Sequence, residues 1–401
     1  MHTRIFSFLL SLAPLVLDVS AHPSRCDTGY KSTKAIYMLT NDAKNAVIAL
    51  PIGSDGMLSK GTSTEAGGAG SNSIMGSTGQ PAGPDALVSQ SSLTVAGNHL
   101  FAVNAGSNTI TMFAIDRHDP TKLTMIGQPV AVPGEFPNTV AASKKNKLVC
   151  AGSTGAKAGV SCSSFSSKGM SAMDELRPFA LKQTTPPVGP TNTVSQVFFS
   201  ADESTLFTTV KGDPTKNNTG FLSAFPVRES RRGSAYVSHE GAQSSPEGTA
   251  VLFGSSTIPG SNDLFVTDAS FGAAVLSVDS RTDMATIKGK GAIPNQKATC
   301  WVAVSAATKT AFVTDVATNR LVEMSLTDAS IQGTVDLSAN GDPGLIDLRA
   351  AGNLVYALSP GNGTTQAAVT VVDAFKKVQV QHFELGSMGA GKNAQGMAVK
   401  L

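Results

Sequence analysis

Seven positions of this 401-residue chain fall near the starts of candidate inner strands, six of them roughly 10–17 residues ahead of a similar apolar strand start, and five of the seven carry a side-chain amide. The amides are Gln90, Asn138, Gln196, Gln296 and Gln395; the other two positions hold Glu247 and Gly344. An amide donates and accepts hydrogen bonds, but it cannot give or take a proton near neutral pH. Such a set is therefore suited to holding a polar ligand. Glu247, the one carboxylate in register, is the candidate catalytic acid or base. Lys297 adds a cation to the ligand-binding set, and Asp85, Asp347 and Lys392 are close enough in sequence to contribute charge.

Other chemistries find less support. His99, His118, His239 and His382 fall in turns or outer segments, and none stands at metal-ligand spacing from another His, Cys or carboxylate, so neither a metal nor a cofactor is expected. The Ser-rich stretches contain no Gly-x-Ser-x-Gly elbow between a strand and a helix, which removes the basis for a hydrolase triad. Only 15% of residues are charged and the formal net charge is +2. That leaves no electrostatic footprint for nucleic acid and no polybasic membrane patch. Partners must be recognised by shape and hydrogen bonding, which points to a small polar molecule, a glycan or an extracellular protein.

The elements that position these residues are strands. Amphipathic helical periodicity is nearly absent, and short Val, Ile, Phe, Thr and Leu runs bounded by Gly, Asn, Asp and Pro recur throughout. One unit repeats: an apolar strand, a polar turn, a strand opening with Leu-Phe or similar, a polar loop, and a further strand often ending in Asp. Its second strand starts at Ile36, Leu100, Leu148, Leu206, Leu264, Ala311 and Leu354, at intervals suited to four-stranded blades with loop insertions. The fold class is all-β, a seven-bladed β-propeller. The first copy lacks an inner strand, and Gly396 to Leu401 forms a spare one, so pairing of the N- and C-terminal strands in one blade closes the ring and removes its open edges. Ligands of propellers sit over the central channel, where the inner strands begin, and the amide positions fall there. Trp301, which opens an inner strand, is expected in the core. The Gly/Ser-rich stretch 53–83 is expected as a surface insertion.

The N-terminus reads as a signal peptide over residues 1–21: His2 and Arg4, an apolar run from Ile5 to Leu17, and small residues before His22. Residues 22–401 then form a single propeller domain, secreted and extracellular or cell-wall associated, with no transmembrane segment and expected to be monomeric. Cys150 and Cys162 lie on two β runs joined by a Gly-rich turn and should pair across a hairpin, adding roughly 3 kcal/mol. Cys26 and Cys300 remain, either as a second disulfide or as two thiols. Asn217 and Asn362 head glycosylation sequons in Gly/Pro-rich loops.

Three segments carry a family resemblance: Gly79 to Leu87, Leu100 to Thr109, and Val132 to Val140, with Asp213 to Gly220 as a fourth. Together they resemble the seven-bladed lactonase superfamily, which includes 3-carboxymuconate cyclases and 6-phosphogluconolactonases, and most of all secreted fungal 3-carboxymuconate cyclase-like proteins. The resemblance spans essentially the whole mature chain. It implies the propeller fold, and a cycloisomerase or lactonase acting on a carboxylated lactone or muconate-type substrate. In the cytosolic cyclases a histidine at an inner-strand start, a carboxylate and arginines act together. Here no histidine or arginine occupies the seven positions, and only Glu247 matches the carboxylate. Two functions follow: a binding protein with an amide-lined mouth, or an enzyme using Glu247 with Lys297 or Lys392 as the anion partner.

Overall fold

The computed structural model describes residues 34–231 and 233–401. The signal-peptide reading and Cys26 lie outside the described residues. Strands alternate with tight turns, and the helical content among the described residues is three single-turn 3-10 segments. Apart from one two-stranded parallel pair, the strands form seven antiparallel sheets, each a propeller blade.

The inner strands of blades two to seven are Leu93–Ala96, Pro137–Ser143, Val194–Phe199, Leu252–Thr257, Thr299–Ser305 and Ile346–Ala351, and Gln395–Lys400 is the inner strand of blade one. Each touches the next in cyclic order, which makes the ring. The second strands begin within one residue of every expected start: Ala35–Leu39, His99–Asn104, Leu148–Ser153, Thr205–Asp213, Leu264–Asp268, Thr310–Asp315 and Leu354–Ser359. Ala35–Leu39 pairs with Ala46–Pro51 on one side and with Gln395–Lys400 on the other, so the closure is formed by both ends of the described chain.

Alternation along each strand sends apolar residues into the spaces between blades. Trp301 is fully buried there, edge-on to Phe253 at 4.9 Å between ring centres. Cys150 and Cys162 are cross-strand partners and form the expected disulfide. Cys300 is buried and has no disulfide partner among the described residues.

Six of the seven inner strands share a feature that the sequence pattern does not announce. Their pairing slips by one residue at the end where they begin, between positions 137 and 139, 194 and 196, 252 and 255, 299 and 301, and 346 and 348, and opposite Tyr37 to Leu39 in blade one. A bulge bends the strand and re-aims the extra side chain. Here the re-aimed positions include Asn138, Ser195, Phe253, Cys300 and Asp347, all at one end of the channel.

Residues 53–83 are not a simple surface insertion. Thr62–Glu65 is the outer strand of blade one, and Ile74–Met75 pairs in parallel with Val188–Gly189. The glycines allow this close approach. A Cβ on Gly61 would lie 1.8 Å from the Ala49 carbonyl oxygen, and one on Gly70 would lie 2.2 Å from that of Asn41.

Candidate functional site

Residues 66–84 form a strap that leads out of blade one, and the connection from this strap to blade two enters the channel. Residues 85–92 cross it and bond to the blades around it. The Trp301 indole donates to the Ser89 carbonyl at 3.0 Å, the Ser89 hydroxyl donates to the Asn138 carbonyl at 2.7 Å, and the Gln90 amide N–H donates to the Ser195 carbonyl at 2.9 Å. Ser91 is held from blade seven: its N–H donates to Asp347 Oδ2 at 3.4 Å and its hydroxyl accepts from Arg349 at 3.2 Å. The channel is thus plugged by the chain itself. Three residues of the plug, Asp85, Val88 and Ser91, have φ of 63°, 49° and 64°. A β-branched residue in the left-handed region costs of order 1–3 kcal/mol and persists where the surroundings dictate it. The bonds just named supply that constraint.

Four of the five amides chosen from sequence meet at this plug, and they serve it. Gln90 closes a two-way bond with Val302, donating to its carbonyl at 2.9 Å and accepting from its N–H at 3.0 Å. Gln196 does the same with Ser255. Asn138 donates to the carbonyls of Leu87 and Val194 at 3.1 and 2.7 Å, and Gln395 donates to Asp85 at 3.1 Å and to the Ser89 carbonyl at 3.2 Å. All four are buried. Buried amides must find partners, and these find them in neighbouring blades and the plug. Asn138 Oδ1 and Gln395 Oε1 alone among their amide atoms lack a partner. Gln296 is half-buried and bonded to the Ala269 carbonyl of blade five and to the Thr299 N–H that opens blade six. Glu247 sits exposed in a turn.

Above the plug, at the end where the inner strands begin, a cavity of about 270 Å³ remains. One side is the strap and plug, through Met75, Pro84, Asp85 and Val88. The other side is the blade-five and blade-six strand starts, through Val251, Phe253, Ala298 and Cys300. Lys297 stands exposed at the rim and Lys211 lines the interior. Of the residues singled out from sequence, Asp85 and Lys297 border this space. Lys392 is exposed, and Asp347 is buried deeper at the plug.

Two opposite charges therefore border one apolar space. Burial pushes the Asp85 carboxyl up from 3.8 to about 6, against the pull of Lys211 and hydrogen bonds from Gln395 and backbone N–H groups. Burial also lowers the Lys211 ammonium from 10.5 to about 8, with Asp85 opposing the drop. Lys211 is 1% exposed; it donates to the Val88 carbonyl at 2.6 Å and the Ser195 hydroxyl at 3.3 Å, and lies 4.3 Å above the Phe253 ring. The Cys300 thiol is pushed up by the same burial and stays protonated. Carboxyl and amine groups displaced toward neutrality in a cleft are the usual material of proton transfer and of nucleophilic amines.

Sequence reasoning missed Lys211 and the deep role of Arg349. Lys211 lies near the end of the fully buried strand Thr205–Asp213, where a lone cation after Leu-Phe-Thr-Thr-Val was the available signal. Among the described residues no group of His, Cys, Asp and Glu is arranged to hold a metal ion. The sequons lie at exposed positions: Asn217 follows the turn Pro214–Lys216, and the Asn362 carbonyl side-chain oxygen accepts from Thr364 and Thr365.

No family model matches the chain, and no curated protein matches it. Solved structures do. The chain is similar to a provisionally assigned 6-phosphogluconolactonase from Bacteroides uniformis, with a TM-score of 0.52 and 15% identity over 70% of this chain and 80% of that one. It is also similar to apo AztD from Citrobacter koseri, with a TM-score of 0.50 and 12% identity over 92% of this chain and 97% of that one. At these identities the likeness is one of fold.

Proposed function

We propose that the protein is a secreted or wall-associated binding protein that holds a small molecule in the channel-mouth cavity, with an apolar body against Phe253, Val251 and Val88 and a polar group toward Asp85 and Lys211. The observation that carries this is the cavity itself: preformed, walled mainly by apolar side chains, and provided with a few convergent polar groups, which is the usual make-up of a small-molecule site. The plug supports the reading from below. Because Gln90, Gln196 and Gln395 are engaged in cross-blade bonds, they act as the frame that fixes the floor, and ligand contact falls to Asp85, Lys211 and the rim residue Lys297.

The test is thermal unfolding with a panel of small carboxylates, lactones, phenols and glycans. A ligand at about 100 times its dissociation constant stabilises the folded state by ~2.7 kcal/mol. Ala298→Phe, which fills the cavity, should abolish the gain. If no member of the panel raises the unfolding temperature, or if Ala298→Phe retains the gain, the cavity is not the binding site.

A second reading has its own observation. A carboxyl displaced to about 6 inside an apolar cavity is poised for acid–base work, which suits a cycloisomerase or lactonase on a carboxylated lactone or muconate-type substrate, in line with the resemblance to 3-carboxymuconate cyclase-like proteins. In that reading Asp85 takes the part first given to Glu247, which does not border the cavity. Incubation with 3-carboxymuconate and simple lactones tests it: turnover should fall at least ~100-fold in Asp85→Asn and be unchanged in Glu247→Gln. The opposite pattern returns the role to Glu247.

A further inference from the structure

We propose that Lys211 is a carbonyl-binding lysine, whose Nζ at the cavity wall forms an imine with a small apolar aldehyde or ketone. This deepens the binding function above and rests on it.

The geometry meets three requirements. The amine must be reachable from a space that admits a carbonyl compound, and Lys211 lines the apolar cavity beside Phe253, Val251 and Val88. It must be satisfied when uncharged. An uncharged amine has two N–H bonds, and Lys211 has two acceptors, the Val88 carbonyl and the Ser195 hydroxyl; the lone pair is left over. A proton carrier must border the same space, and Asp85 does. The charged form is favoured by Asp85 and by the face of Phe253, while burial opposes it; the neighbouring Cys300 thiol is uncharged. Burial prevails, and with its amine near 8 Lys211 is about one-tenth uncharged at pH 7, whereas an ordinary exposed lysine is uncharged to only ~0.03%.

The chemistry balances without an outside reagent. The Nζ lone pair forms the C–N bond as the carbonyl π pair moves to oxygen. Protonated Asp85 gives its proton to that oxygen and takes one back from nitrogen, which leaves a carbinolamine. Asp85 then protonates the hydroxyl, the C–O bond breaks to release water, and the nitrogen lone pair closes the C=N bond. The product is a protonated imine facing an Asp85 carboxylate, with no net oxidation or reduction. The apolar walls select a carbonyl compound with a hydrocarbon body.

Reductive trapping tests this on the folded full chain. The protein is incubated at pH 7 with benzaldehyde and sodium cyanoborohydride and digested, and the benzylated lysines are located by mass spectrometry. Lys211 should be modified on the order of 100-fold faster than the exposed Lys144 and Lys376, as its larger uncharged fraction requires, and Lys297 should react at the exposed rate. Lys211→Met should remove the fast phase. Because that variant can fail to fold, Ala298→Phe provides a second arm: it leaves Lys211 in place and should slow its labelling at least ~10-fold by occluding the cavity. Labelling of Lys211 at or below the exposed rate overturns the proposal, as does fast labelling unaffected by Ala298→Phe. Thermal stabilisation by non-carbonyl ligands without Lys211 labelling overturns the imine and leaves the binding function standing; absence of both overturns both.

Discussion

Two pairs of opposite charges flank the plug, and they are built differently. Asp347 and Arg349 touch at 2.6 Å, and Asp347 also accepts from the N–H groups of Leu348, Met397 and Ser91, while Arg349 bonds the Leu348 carbonyl and the Ser91 hydroxyl. Asp85 and Lys211 instead bond to different partners and face a shared cavity. The first pair is closed upon itself and the plug, as a buried ion pair must be if it is to be stable. The second keeps its charges apart in an apolar space, where each is displaced toward neutrality. A completed pair marks structure, and a separated one marks a place for chemistry.

Removing one partner of the closed pair should break the contrast most severely. Arg349→Met strands the Asp347 carboxylate, which burial already raises, and should cost ~3–5 kcal/mol in denaturant unfolding. Gly254→Ala comes next. Its Cβ would meet Gln90 Oε1 at 2.1 Å and the Cys300 carbonyl oxygen at 2.6 Å, pressing on the floor that both pairs share. A loss of ~1–3 kcal/mol is expected, with little change in m-value.

The open pair should be read by pH. Asp85 titrates near 6 in the folded state against 3.8 otherwise, so between those values the folded protein binds more protons than the unfolded one, and stability falls as pH rises across that window. Lys211 titrates near 8 against 10.5; there the unfolded state binds more protons, and stability rises between pH 8 and 10.5. These two groups therefore contribute least between about pH 6 and 8, where both are charged. Asp85→Asn should flatten the acid limb, a change on the order of 1–3 kcal/mol between pH 4 and 7. At the bottom of the scale, Lys297→Gln at the exposed rim should move stability by no more than ~0.5 kcal/mol, and any effect it has should appear in ligand affinity.

The fold was legible because it repeats: markers such as Leu148, Leu264 and Leu354 fall at strand starts because each blade requires an apolar strand flanked by turn residues. The candidate site was legible in identity more than in purpose. Gln90, Asn138, Gln196 and Gln395 do converge at the channel, but the plug 85–92 occupies the space they would otherwise offer, and its path is a tertiary fact with no periodic signature. The bulges that turn Cys300 and Asp347 inward are similarly silent, since a single extra residue leaves composition unchanged. Lys211 belongs to a second strand, and its inward aim depends on where that strand ends. Glu247 fell outside because its blade has a longer approach to the inner strand, which begins only at Leu252.

The closing strand sets a clock. At synthesis rates of about 5–20 residues per second, roughly 20–70 s separate the emergence of residue 34 from that of Gln395. The plug is made early in that interval, while its bonding partners Trp301, Asp347 and Gln395 are made late. Asp85 therefore gains its Gln395 hydrogen bond, and the plug its last partners, only when the ring shuts.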